Sequence, residues 1–442
     1  MFISHIVLSI PAVALPFIIP IYLNIETPPI VEYNIVITLI IGGIIMSTNA
    51  SINSIELFCG TGGLALGLQQ SGFEHKALYE WDKASCDNIR ANIELGFESV
   101  KDWNVFQSDV RTVCYDGLTG KINMISGGPP CQPFSMGGKA QAYNDKRDMF
   151  PEAVRAVREI MPEVFIFENV KGLMRRSFSQ YFSYIILQLT YPSITKPTNM
   201  SWEDHRALLE MHHTSSKHDD CEYNVTFNLV NAADYGIPQL RHRVIIVGFR
   251  KGIDARWTFP KATHSKESLQ YSKWISKDYW EKHSLAIPKD IPLTASSIRR
   301  IRDAVENTDN PLLPWRTTRD AIGDLPDPRS KEAEQFDNHI FRGGAKSYAG
   351  HSGSILDEPS KTIKAGSHGV PGGENMIVLD SGELRYYTVR ESARIQTFPD
   401  GYHFCTSWTE SMRQIGNAVP VKLAEVVGTS VYSHLRRVVN ES

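Results

Sequence analysis

The first 46 residues contain neither lysine nor arginine. A signal peptide opens on a basic segment, and a membrane anchor normally carries basic residues on one flank. Phe2 to Leu23 is nearly all apolar, but Pro11, Pro16 and Pro20 interrupt it. Ile35 to Ile45 is apolar apart from Thr38 and too short to span a bilayer. Two readings of residues 1–46 follow: an apolar anchor, or a segment upstream of a true start at Met46. The second is preferred, because Met46 stands just ahead of the first strand-like run. A cytoplasmic protein is expected.

Other absences narrow the chemistry. Six cysteines are present (Cys59, Cys86, Cys114, Cys131, Cys221 and Cys405), and no two form a CxxC pair. That disfavours a zinc site and a disulfide framework, and no metal site is expected. No GxxxxGK[ST] loop is present, which disfavours ATP. Internal repeats and low-complexity tracts are absent. The formal net charge of −3 argues against coating nucleic acid by charge alone. A local basic face would still suffice for a DNA enzyme, and residues 251–330 hold more Lys and Arg than Asp and Glu.

What is present reads as α/β from Asn53 onward. Ser54–Phe58 predicts a strand, Leu64–Ser71 a helix, and Lys76–Tyr79 a second strand ending in Glu80. Asp82 can cap a helix running through Ile93. Further strands are predicted at Ile122–Ser126 and Val164–Phe167, with a helix at Pro151–Ile160 between them. Such alternation implies a mostly parallel sheet with helices on both faces. Phe227–Val230 and Val244–Gly248 read as strands that could form a hairpin at the sheet edge. Residues 192–222, with His212, His213 and His218, read as a solvated polar insertion. After Arg250 the rhythm stops. The 442 residues fit two domains: 47–250 as the main one and 251–411 as a smaller, loop-rich one. Residues 412–442 are a helical segment returning to the first.

Phe58-Cys-Gly-Thr-Gly-Gly63 follows a strand and opens a helix, where Gly60, Gly62 and Gly63 let backbone turn tightly and approach a ligand. Glu80, at the end of the next strand, stands where a carboxylate commonly binds ribose hydroxyls of an adenosine group. Trp81 offers a face for adenine to stack on, and Asp109 can accept a hydrogen bond from an adenine amino group. The plainer alternative is that Glu80 and Trp81 merely begin a helix.

Gly127-Gly-Pro-Pro-Cys-Gln-Pro-Phe-Ser135 places Cys131 between prolines at the C-terminal end of a strand, where α/β folds hold active sites. The prolines fix the backbone around the sulfur, which a merely buried cysteine would not need. Glu168-Asn-Val170 brings a carboxylate to the same edge; its plain alternative is a helix cap. Gln239-Leu-Arg-His-Arg243 brings Arg241 and Arg243, which share a face if extended; their plain alternative is a surface ion pair.

The order of these motifs resembles the DNA (cytosine-5)-methyltransferase family of the bacterial restriction–modification type. Arg390-Glu-Ser-Ala-Arg-Ile-Gln-Thr-Phe-Pro399 and Gly416-Asn-Ala-Val-Pro420 extend the match, which covers roughly residues 54–437. The departures, the apolar N-terminus and the 192–222 insertion, touch no motif.

The resemblance implies a Rossmann-like S-adenosylmethionine-dependent methyltransferase sheet, with residues 251–411 as target-recognition domain. It implies methylation of cytosine C5 in a specific duplex DNA sequence, through base flipping and a covalent Cys–C6 intermediate. Cys131 would be the nucleophile, Glu168 the group at N3 and the exocyclic amine, Arg243 the group at O2, and Arg241 a supporting group. S-adenosyl-L-methionine would be held by Phe58, Gly60, Gly62, Gly63, Glu80, Trp81, Asp109, Pro130 and Asn417. Ser135 and the glycines after it would form a closing loop. Ser135, Lys139, Arg147, Gln239, Lys361, Thr362, Ile363, Lys364 and His368 would meet the DNA; for 360–364 and 366–369 a structural turn is an equally open reading. A monomer is expected, with a restriction endonuclease as a cognate enzyme and not as a complex. The rivals are an RNA cytosine-5 methyltransferase, a non-catalytic DNA-binding relic and, remotely, a nicotinamide-dependent oxidoreductase.

Overall fold

Short apolar runs such as Met124–Gly127 and Val164–Phe167, buried along their whole length, can only be central strands covered on both faces. The computed structural model describes residues 51–130, 148–215, 221–253, 256–348, 352–366 and 375–441, and Ala50–Ser442 forms one compact unit. The expectations for residues 1–46 lie outside the described residues. The chain begins with β1 (Ile52–Leu57), α1 (Gly63–Gln70), β2 (Phe73–Glu80), α2 (Lys83–Glu94), β3 (Val105–Gln107) and β4 (Met124–Gly127). It continues through α3 (Phe150–Ile160), β5 (Val164–Val170), α4 (Ser179–Thr190), α5 (Trp202–Thr214), β6 (Tyr223–Asn231) and β7 (His242–Arg250).

These strands form one seven-stranded sheet in the order β3-β2-β1-β4-β5-β7-β6. β1 to β5 are parallel, and β7 runs antiparallel to both β5 and β6. The expected hairpin is therefore present, with β6 at the edge and β7 inside it. Strand alternation sorts the core into two layers. Phe165 and Phe167 join Phe150, Val157, Ile185 and Leu209 from α3, α4 and α5 on one face. Val164 and Ile166 join Leu64 and Leu68 of α1 on the other. Asp82 caps α2 as its spacing predicts, accepting the Ser85 N–H at 2.9 Å.

The 192–222 insertion differs from the solvated loop its composition suggests. Ser201 caps α5, which buries His205 and Leu209 against α4, and the Tyr184 hydroxyl bonds His205 at 2.8 Å. One amphipathic contact outweighs an otherwise polar sequence. No group of His, Cys, Asp or Glu among the described residues could hold a metal.

Beyond Arg250 come β8 (His264–Ser265), α6 (Lys266–Trp274), α7 (Asp278–Lys282), α8 (Ala295–Glu306), β9 (Leu313–Pro314) and α9 (Thr318–Ile322). Then follow β10 (Ser354–Ile355), β11 (Met376–Val378), β12 (Leu384–Tyr386), α10 (Val389–Ile395), α11 (Trp408–Asn417) and α12 (Val421–Glu441). The strands here form only a two-stranded and a three-stranded sheet. α12 packs along α1: Leu423, Ala424, Val427 and Val431 share a core with Leu64 and Leu68. No described helix is long and apolar enough to cross a membrane.

Candidate active site

Parallel strands bring their C-terminal ends to one edge of the sheet, the edge where such folds bind ligands. Leu57 pairs with Tyr79 and Gly127, and Gly127 with Phe167. Phe58, Glu80, Gly128 and Glu168 consequently stand side by side along that edge. β7 starts there, with Arg243 opposite Val170.

At the cofactor end, the turn after β1 is a run of left-handed backbone, with φ of 56° at Phe58, 53° at Gly60 and 83° at Gly62. The glycines divide their work. A Cβ on Gly60 would meet nothing within 4 Å, so this is the open side of the turn, while one on Gly62 would touch the Trp103 ring at 3.0 Å. A Cβ on Gly63 would lie 2.5 Å from the Val419 carbonyl. Gly63 thus serves close packing of the C-terminal segment on α1.

Glu80 is buried, and its carboxylate accepts the N–H groups of Gly60 at 2.9 Å, Trp81 at 2.9 Å and Asp82 at 2.8 Å. Burial raises its pKa, against the pull of those three donors. The carboxylate stiffens the turn and keeps lone pairs for a further donor. Trp81 is 71% exposed, an uncovered ring beside the turn. Asp109 closes a turn on the Arg111 N–H and pairs with the Arg111 guanidinium, which holds its carboxyl below the ordinary range. Asn417 is exposed at the end of α11, and Pro130 is exposed at the end of its described segment.

At the other end of that edge, Glu168 lies inside β5 rather than past it. Its Oε1 is 2.5 Å from the Nε of Arg243, with both side chains nearly buried. The contact is ionic in character, because neither of these two atoms has an aligned hydrogen-bond partner. Gly128 stands beside Glu168: a Cβ there would be 3.5 Å from Oε2. Asn169 donates to the Pro129 carbonyl at 3.0 Å, and the Met149 N–H donates to the Pro130 carbonyl at 3.2 Å. Glu168-Asn-Val170 therefore grips the backbone leading to Cys131. Cys131 itself, with Ser135, Lys139, Arg147 and His368, lies outside the described residues.

Several expectations are redirected. Arg241 lies near enough to Arg243 and Glu168 to feel both charges. It is wholly buried and donates to the carbonyls of Ile363, Gly416 and Ala418. Gln239 and Ile363, expected on DNA, are wholly buried too; the Gln239 amide is taken up by Gln396 and the Ile363 N–H. The Thr362 hydroxyl donates to the Leu240 carbonyl at 2.6 Å and Lys361 to Ser352, whereas Lys364 is exposed. The reason is shared: residues 238–241 and 360–364 lie side by side, bridged at Gln239 and Ser360, so their inner side chains face protein. Residues missed by inspection are Asn169, Gln396 and Tyr402, whose hydroxyl holds the Thr61 carbonyl at 2.7 Å. The first two lie inside quoted motifs, and nothing in the sequence marks Tyr402.

The C-5 cytosine-specific DNA methylase family model matches residues 52–191 and 199–433. Type II methyltransferase M.PspPI of Psychrobacter sp. (strain TA137) is 33% identical over 384 residues, covering 86% of this chain and 79% of that protein. M.Eco47II of Escherichia coli is 31% identical over 394 residues, with 87% and 79% covered. M.NgoMIV of Neisseria gonorrhoeae is 29% identical over 393 residues, with 87% and 98% covered. A match of this extent, laid over a sheet whose motif residues meet at one edge, shows that the chain belongs to the C-5 cytosine-specific DNA methylases and is a DNA cytosine-5 methyltransferase.

Proposed function

We propose that the enzyme methylates C5 of a cytosine flipped out of duplex DNA, with Cys131 as nucleophile and S-adenosyl-L-methionine as methyl donor. We further infer that it is the modification enzyme of a restriction–modification system, a role in keeping with the Type II names of its relatives. The observation that carries the reading is the Glu168–Arg243 pair beside the backbone that Asn169 grips two residues before Cys131.

Cytosine C5 is a poor nucleophile while the ring is aromatic. The thiolate of Cys131 forms a bond to C6 and breaks that aromaticity. The ring then needs a proton at N3 and stabilisation at O2. Glu168 supplies or shares the proton and meets the exocyclic amine, and Arg243 meets O2. The residues at the other end suit the donor. Trp81 offers an uncovered ring, Gly60 an open backbone and Glu80 remaining lone pairs, with Phe58, Gly62, Gly63, Asp109, Pro130 and Asn417 completing the set. S-adenosyl-L-methionine, when bound there, supplies an electrophilic methyl group that the activated C5 takes. Transfer of the C5 proton to water, return of the N3 proton to Glu168 and cleavage of the S–C6 bond then release 5-methylcytosine and regenerate the Cys131 thiolate. Residues 251–411 act as target-recognition domain, with Lys361, Lys364 and His368 on its DNA side, and Ser135, Lys139 and Arg147 closing on the flipped base. A monomer suffices, since one strand can be methylated per visit.

Covalent trapping tests this reading. The full chain and a Cys131→Ser variant are incubated with S-adenosyl-L-methionine and mixed-sequence duplex DNA containing 5-fluorocytosine. Fluorine at C5 blocks the last proton loss, so the parent should form a denaturation-resistant adduct and the variant none. An adduct formed only on RNA, or one that persists in Cys131→Ser, would overturn the assignment.

A further inference from the structure

Arg241 is a fully buried arginine to which no carboxylate among the described residues is bonded. Desolvating a guanidinium costs several kcal/mol unless its donors are met. Here the two terminal nitrogens are met by main chain from two distant segments, and Nε has no hydrogen-bond partner among the described residues. Nη1 donates to the Ile363 carbonyl at 3.0 Å, and Nη2 to those of Gly416 and Ala418 at 2.8 Å each. Gln239 works beside it: its Oε1 accepts the Ile363 N–H at 2.9 Å, and its Nε2 donates to the Gln396 side chain at 3.0 Å. Gln396 in turn donates to the Ile415 carbonyl at 2.7 Å. Main chain reinforces the seam, with Leu240 N–H on Ser360 O at 2.8 Å and Ser360 N–H on Pro238 O at 2.9 Å. On its other side, the Asn375 amide brackets the Lys364 backbone at 2.9 and 2.7 Å.

We propose that Gln239 and Arg241 are positioning residues that lock segment 360–364 in register with the Glu168–Arg243 pair, so that sequence discrimination is transmitted through them. This rests on the DNA-methylating reading above. The argument is geometric. A rigid fork joined to two separate segments is satisfied in one register only. Sliding 360–364 by one residue would turn an N–H where a carbonyl now accepts, stranding a buried cationic donor. Arg243, two residues along the same chain, bears on Glu168, so the segment's position is fixed relative to the reacting edge. A lysine at 241 keeps the charge but presents one compact ammonium that cannot span both segments. Thr362→Val removes a single bond, from a partly exposed hydroxyl to the Leu240 carbonyl, on the same seam.

The test uses the full chain and its Arg241→Lys and Thr362→Val variants. Sequencing of 5-methylcytosine in a host free of cytosine methylation gives the parent's target. Purified proteins are then assayed on duplexes carrying that target or a one-base change. The expected result is a fall in the kcat/KM ratio of target to neighbour of about tenfold for Arg241→Lys and about twofold for Thr362→Val. The single-turnover rate on target DNA should stay within about threefold of the parent. A ratio unchanged in both variants would overturn the proposal, and so would a collapse of the single-turnover rate without loss of discrimination. If Arg241→Lys does not fold, Thr362→Val alone decides, since it leaves every buried partner of Arg241 in place. A parent that methylates no DNA would sink the functional reading and this proposal together. A parent that methylates with variants of parental discrimination would sink this proposal alone.

Discussion

The cofactor edge and the Arg241 seam solve one problem, the satisfaction of buried polar groups, in opposite ways. Glu80 is closed by Gly60, Trp81 and Asp82, no further than 20 residues along the chain. Arg241 is closed by carbonyls 122, 175 and 177 residues away. The first can form as soon as one βαβ unit forms. The second exists only once the C-terminal segment has returned to the sheet. Damage at the cofactor edge should therefore stay local, whereas damage at the seam should spread to recognition and stability together.

The largest effect is expected where the two regions meet. Glu168→Gln keeps the shape of the side chain and removes its proton-sharing carboxylate, so single-turnover methylation should fall about 10²–10⁴-fold. Near-parental turnover in that variant would remove Glu168 from the mechanism. Next comes Gly416→Ala. Its Cβ would lie 2.3 Å from the Ala365 nitrogen and 2.4 Å from the Lys364 carbonyl carbon, forcing the seam apart. We expect a loss of about 1–3 kcal/mol in urea unfolding. Gly60→Ala, which meets nothing within 4 Å, should cost only the left-handed strain of about 1 kcal/mol. Equal losses in the two variants would erase the contrast between the regions.

Smaller still is Trp81→Ala. Its ring is 71% exposed, so stability should not change, while KM for S-adenosyl-L-methionine should rise about tenfold with kcat held within about twofold. An unchanged KM would mean that nothing stacks on Trp81.

A pH dependence is also expected under the cofactor turn. Glu56 is buried on β1, accepts the Ser126 hydroxyl at 2.8 Å, and burial pushes its carboxyl up to about 8. The unfolded chain ionises it near pH 4.3. Between roughly pH 4.5 and 8 the folded protein keeps a proton that the unfolded chain has lost, so Glu56 costs stability as pH rises, at most about 1.4 kcal/mol per pH unit. Below that window both states are protonated, and above it both are ionised. Glu56→Gln should gain on the parent between pH 5 and pH 8 in urea unfolding. A constant difference across that range would show that the folded protein holds Glu56 ionised.

Much of the cofactor edge was legible in the residues. Glycines after an apolar strand, Glu80 at the next strand end and Asp82 as a cap all depend on near neighbours, and all are found within a residue or two of their expected places. The α5 helix was not legible, because its stability comes from Leu209 and His205 meeting α4 and not from its own polar sequence. Gln239 and Ile363 read as DNA contacts for a similar reason. A polar or apolar side chain in a loop-like stretch carries no mark of which face will be covered.

The sequence alone determined the alternating core, the turn chemistry and the family, since these rest on local periodicity and on motif order. The tertiary structure decided which partners three neighbouring motif residues find. Arg243 lies on β7 beside Glu168, while Gln239 and Arg241 turn into a seam made by segments more than 120 residues away. Burial and hydrogen-bond partners are properties of chain closure, and spacing along the chain cannot encode them.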